Sequence, residues 1–146
     1  MRGRLGLVLF AAVATACSSN NGGSGPGPVI SVGGTYQTAV TLVSNTCPGQ
    51  TVEQHSTTVN HEPGATALSL THAGSTYNGT LASDGSFITS TVTQVFGAIS
   101  YDISINGEFS ETAMDALVTV QAGRQPPCFF TARWAGPKNG DPNVIP

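Results

Sequence analysis

The chain has 146 residues, 9% of them charged, with five Lys and Arg against eight Asp and Glu and a formal charge of −3. So few basic residues form no patch able to neutralise phosphates, which argues against nucleic acid as a partner. The length bounds the folded part to one domain.

At the start of the chain, Arg2 and Arg4 precede an apolar run over residues 5–14 that stops at Ala14-Thr15-Ala16-Cys17. A basic flank, a short apolar stretch and a small-residue end make a secretion signal over residues 1–16. The run is too short to span a bilayer, which takes about 20 apolar residues. Ala14-Thr15-Ala16-Cys17 resembles the lipobox of bacterial lipoproteins. That resemblance implies removal of the signal, lipid modification of Cys17 and anchoring in the bacterial cell envelope. Ser18 after the cysteine resembles the outer-membrane sorting pattern, if the host is Gram-negative. Residues 17–28 are then the lipidated cysteine and a Gly-, Ser- and Pro-rich tether that cannot build a core, with a root-mean-square span of about 17–20 Å. Without Arg2 and Arg4, three basic residues face eight acidic ones, a formal charge of −5.

Residues 29–136 carry the domain. Thr, Ser, Val and Ile dominate, glycine-containing turns recur at short intervals and no helical period appears, which predicts an all-β fold. Strands are expected over 35–43 and 52–61, the latter joined by Glu62-Pro63-Gly64-Ala65 to a strand over 66–72. Next come four hairpins whose opposed residues can be read by arithmetic, since cross-strand partners share a face. A turn at Ala73-Gly74 opposes Leu70 to Tyr77 and Leu68 to Gly79. Asp84-Gly85, a strong hairpin dipeptide, opposes Leu81 to Ile88, Gly79 to Ser90 and Tyr77 to Val92. Gly97-Ala98 opposes Phe96 to Ile99, Val92 to Ile103 and Ser90 to Ile105. Ser110-Glu111 opposes Ile105 to Ala116, Ile103 to Val118 and Tyr101 to Val120. The strand over 99–109 is the clearest, with Ile99, Tyr101, Ile103, Ile105 and Phe109 on one face and Asp102, Ser104, Asn106 and Glu108 on the other.

With a last strand over 128–134, the count is eight in one up-and-down meander, expected to close into a small barrel; a two-sheet sandwich is the alternative. A membrane-spanning barrel is disfavoured, because Asp102, Ser104 and Asn106 would face lipid. Once Cys17 is assigned to lipid, Cys47 and Cys128 remain in an oxidising compartment and are expected to pair. Closure supports the same pair, since it sets the end of the first strand beside the start of the last, and it brings Tyr36 toward Trp134. Gly33-Gly34-Thr35-Tyr36 and Arg133-Trp134 resemble the calycin-like barrels of lipocalin and avidin type, which implies a fold able to hold one small ligand. Residues 137–146, with three prolines, read as a loose tail.

Among candidates for chemistry, His55 and His61 lie too far apart along one strand to share an ion, whereas the Pro63-Gly64 turn opposes His55 to His72, both facing inward. Two facing imidazoles can bind a metal or a polar ligand. Glu53 is the only third metal ligand in view, so hydrogen-bonded rim histidines are the favoured reading and no metal or cofactor is expected. Tyr36, Tyr77, Tyr101 and Trp134 share the inner face with Gln94, a lining suited to a ligand cavity or to an ordinary core. Catalysis is not expected: no Gly-x-Ser-x-Gly elbow exists, no free thiol remains, and Asp102 and Glu108 point outward. The acceptor triplet Asn78-Gly79-Thr80 reads as incidental, Gly79 being explained by close packing. The resulting expectation is an envelope lipoprotein that binds a small or hydrophobic ligand without catalysis; the alternative is a structural or protein-interaction role with a filled core. The oligomeric state is left open.

Overall fold

Alternating apolar and polar side chains become, in the computed structural model, an antiparallel sheet; the structure describes residues 27–146, and no helix occurs among them. The signal over 1–16, Cys17 and most of the tether lie outside the described residues. Ten strands appear among those described: β1 (Gly34–Tyr36), β2 (Ala39–Asn45), β3 (Thr57–Asn60), β4 (Ala67–His72), β5 (Ser75–Leu81), β6 (Ser86–Thr89), β7 (Val92–Phe96), β8 (Ile99–Phe109), β9 (Ala113–Ala122) and β10 (Cys128–Pro137). Their order is β1-β3-β4-β5-β6-β8-β9-β10-β2, with β7 also paired to β8. The sheet curls into an open half-barrel and not into the closed eight-stranded barrel expected. The long strand expected over 52–61 shrinks to β3, and the first strand breaks at Gln37-Thr38 into β1 and β2.

That break shapes the domain, because β1 and β2 are the two margins of the sheet yet are joined by only two residues. At one end the margins meet. β1 pairs with β3 on one side, while on the other Gln37 N–H donates to Pro137 O and Asn139 N–H donates to Thr35 O. Further along they part. Residues 51–56, beside β2, carry no strand pairing, and the gap is spanned by the Gln54 side chain, which accepts from Val40 N–H at 2.8 Å and donates to Val40 O at 2.7 Å. One side-chain amide thus replaces one rung of a ladder.

The registers show how far parity reasoning carries. β4 and β5 pair as expected, Leu70 with Tyr77 and Leu68 with Gly79, and so do β7 and β8, Val92 with Ile103 and Phe96 with Ile99. The Asp84-Gly85 hairpin differs by one residue: Leu81 opposes Phe87, and Gly79 opposes Thr89. Its loop holds three residues, closed by Ala82 N–H donating to Ser86 O, with Gly85 in the left-handed region at φ +87°. Three-residue hairpins of this kind demand an αL residue, which glycine supplies without strain. Phe87 is therefore buried at 4% exposure, while Ile88, expected inside, is 59% exposed. An irregularity at Ser90-Thr91, between β6 and β7, takes the extra residue back. Ser90 N–H donates to Asn78 O there, so the expected Ser90–Ile105 pairing does not form and Thr89 Oγ1 accepts from Ile105 N–H instead.

β8 and β9 sit two residues on from expectation, with Ile105 opposite Val118 and Ile103 opposite Val120, because Ser110 and Ala113 close a wider turn. A two-residue change preserves the face. Gly79 stays unsubstitutable, since an added Cβ would collide with the Ile88 carbonyl.

The core runs through the half-barrel and is sealed at the end where the margins meet, by Ile30, Val32, Tyr36, Leu81, Phe87, Phe109 and Met114. Both termini of the domain form this plug. Ser31 and Val144 exchange backbone hydrogen bonds, and Asn143 is buried, its N–H donating to Glu111 O and its Nδ2 to Ser110 O. The stretch over 137–146, expected to be loose, is thus docked. At the other end Cys47 and Cys128 are joined in a disulfide, as expected, with Cα atoms 5.1 Å apart, packed beside Ala122. No described helix is long and apolar enough to cross a membrane.

Candidate functional site

The unsealed end holds a cavity of about 200 Å³, walled by Trp134, Tyr77, His72 and His55 with Val40, Val52, Ile103 and Val120. Each side chain arrives there through strand alternation. On β10 the even-numbered residues face in, which places Trp134 behind Ala132 and Phe130; on β4 the inward row Leu68, Leu70 ends in His72; on β5 it begins with Tyr77. The His72 ring stacks on Trp134 with centroids 3.8 Å apart and planes 17° from parallel, and Tyr77 meets the same indole edge-on at 6.1 Å. A second space of about 270 Å³ shares the Ile103, Val120 and Phe130 wall and continues to Tyr101, Phe96 and Gln50. Phe96 forms its rim, 62% exposed and edge-on to Tyr101.

The histidines meet, but not as cross-strand partners. β3 pairs with β4 two residues on from expectation, so Thr57 stands opposite His72 and His55 lies before the strand begins. The rings still come together edge-to-face at 5.7 Å. His55 Nε2 lies 3.3 Å from Glu53 Oε2 at the surface. His72 is buried, and its Nδ1 is 2.9 Å from Thr57 Oγ1, which itself accepts from Thr38 Oγ1 at 2.8 Å. Thr38 Oγ1 also lies 3.2 Å from Tyr36 O, so its one hydrogen serves two acceptors, and Thr57 Oγ1 can either donate to Nδ1 or accept from Nδ1–H. Burial, aided by the charge of His55, pushes His72 down to about 4 from an ordinary 6.5. At neutral pH it is uncharged.

Among the described residues no three His, Cys, Asp or Glu side chains converge on one point, Glu53 included. Tyr36 is not part of this cavity. It is fully buried in the plug against Phe109, its hydroxyl 2.7 Å from Val32 O and 2.8 Å from Asn143 Oδ1, and burial raises it to about 12. Val40, not Tyr36, stands opposite Trp134, and Tyr36 bridges to Lys138. His61 serves structure, its Nε2 bonding to Ala65 O at 2.9 Å while Val32 N–H donates to Nδ1.

Thr57, Thr38, Val52 and Phe130 are the site residues that sequence reasoning passed over. Phe130 was available from the same alternation that turned Trp134 inward. The two threonines were not, since hydroxyls in a Thr-rich strand carry no mark of their partners. A wider groove of about 440 Å³ crosses the outer face by Ser86, Asn106, Glu108 and Leu117, but there Arg133 grips Asp115 in a two-pronged ion pair and no apolar wall converges.

Comparison with protein-family models, with curated proteins and with solved structures found no match to this chain.

Proposed function

We propose that this is a lipid-anchored protein of the bacterial cell envelope whose β domain holds a small or hydrophobic ligand in the Trp134 cavity and performs no catalysis. The observation that carries the reading is the asymmetry of the two ends: one is plugged by both termini, the other opens into a space walled by an indole, a phenol and an imidazole. Convergence of aromatic bodies with a few polar tips is the usual character of ligand pockets. In this reading the domain is a variant of the calycin-type barrel whose margins meet at one end only. The anchor agrees with it geometrically. The described chain enters the domain at the plug, through Ile30 and Val32, so a tether from Cys17 would join it at the end opposite the cavity.

The rival role, structural or protein-interacting, draws on exposed Val43, Ile88 and Leu117 on the outer surface. Native mass spectrometry of the protein purified from its own envelope separates the two: a reproducible bound mass supports the ligand reading, and an empty protein overturns it. Intact mass tests the anchor, which fails if Met1 is retained or Cys17 carries no acyl chain.

A further inference from the structure

His72 has one ring edge spoken for and one open. Thr57 occupies Nδ1, Trp134 covers one face, and no hydrogen-bond partner for Nε2 lies among the described residues. That edge is not sealed in protein, since Nε2 is not among the buried side-chain polar atoms left without a partner. Because His72 lines the cavity, its Nε2 is an unused hydrogen-bonding atom of the cavity wall. Unused polar atoms in such sites confer specificity, because a ligand that lacks the matching group leaves them unpaired.

The size and charge of the site narrow the ligand further. About 200 Å³ lies just above the roughly 150 Å³ that accommodates benzene, so one ring fits beside the indole, and the adjoining space of about 270 Å³ has room for the rest of a larger molecule. The titratable side chains on this wall are Glu53, His55, His72 and Tyr77, and none is a Lys or Arg. His55 turns Nε2 toward Glu53, and burial keeps the His72 ring uncharged at neutral pH. An anion placed here would leave water with no Lys or Arg to meet it and with His55 already turned to Glu53. Val40, Val52, Ile103, Val118, Val120 and Ala132 make the remaining wall apolar.

Building on the ligand-binding reading above, we propose that the cavity selects an uncharged molecule that seats one ring against Trp134 and hydrogen-bonds to Nε2 of His72. The Thr57 hydroxyl is its positioning device, since it holds Nδ1 and leaves Nε2 as the free edge of the ring.

The test titrates the full-length protein at pH 7 with three probes of one shape, benzyl alcohol, toluene and benzoate, read by calorimetry and by the emission of Trp134, the single tryptophan. Benzyl alcohol is expected to bind at least about tenfold more tightly than benzoate. His72→Phe is expected to weaken benzyl alcohol about tenfold, as stranding one buried polar group does, while leaving toluene within about twofold. His72→Gln, which retains an N–H, recovers part of the loss. Benzoate binding as well as the alcohol overturns the proposal, as does a His72→Phe variant that weakens both neutral probes alike. If His72→Phe does not fold, the alcohol-to-benzoate ratio of the unmodified protein decides. Should no ring probe bind while a long-chain alcohol does, the ligand class fails and the cavity stands; should neither bind, both readings fall.

Discussion

Lowering the pH tests the buried histidine most directly. His72 sits at about 4 in the fold against 6.5 for a free imidazole, so the fold disfavours its charged form by about 3 kcal/mol. Between those two values the unfolded chain binds a proton that the folded chain refuses, and stability follows the excess of protons in the unfolded state. Stability therefore declines as pH falls through 6.5 toward 4, by up to about 1.4 kcal/mol per pH unit, and this contribution levels off below 4. Asp115 acts in a lower window. Its hydrogen bond to Arg133 holds its carboxyl below the ordinary 3.8, so that contribution is lost only as pH falls beneath 3.8. Urea unfolding at several pH values between 7 and 4.2, followed by Trp134 emission, gives the slope directly. His72→Gln removes this proton from the balance and flattens that share of the decline. In the native state, emission from the stacked indole changes with a midpoint near pH 4. A wild-type protein equally stable at pH 7 and 4.5, or a His72→Gln variant with an unchanged slope, would refute the reasoning.

Reducing the Cys47–Cys128 bridge, whose cysteines are 81 residues apart, costs about 4.5 kcal/mol of stability in the chain-entropy model, measured as the shift of the urea midpoint on adding reductant. Phe87→Ala costs about 3–5 kcal/mol, whereas Ile88→Thr stays within about 0.5 kcal/mol; the reverse ranking would restore the register first read from the sequence. Tyr36→Phe leaves Asn143 Oδ1 and Val32 O sharing no phenolic proton and costs about 1–3 kcal/mol by thermal unfolding. Gln54→Ala removes the rung across the open seam, so the Val40 amide exchanges with solvent faster while amides of β8 and β9 do not.

Much of the sheet was legible because period-two alternation survives any two-residue error. Ile103 and Ile105 face inward whether Val118 opposes one or the other, and His72 stays inward although its partner is Thr57 and not His55. The misreadings came from odd counts. A dipeptide turn and a three-residue loop both contain Asp84-Gly85, and only hydrogen bonding decides between them; the irregularity at Ser90-Thr91 then hides the error from every later strand. Closure was misjudged for another reason. Residues 51–56 have strand-like composition, yet their pairing depends on a neighbour placed by the curvature of the whole sheet, which no local pattern records. At the site, alternation placed Trp134, Tyr77 and His72, and it misplaced Tyr36 because distance from the mouth along a strand depends on register and not on face.

The Gln37-Thr38 junction carries more than continuity. An antiparallel sheet with two bare margins is a template for unwanted self-association, since each margin can recruit another chain. Here the same dipeptide holds both margins within reach of each other, so neither is presented at the plugged end. A single proteolytic cut there would remove no residue and yet turn a self-limiting sheet into one with two adhesive borders.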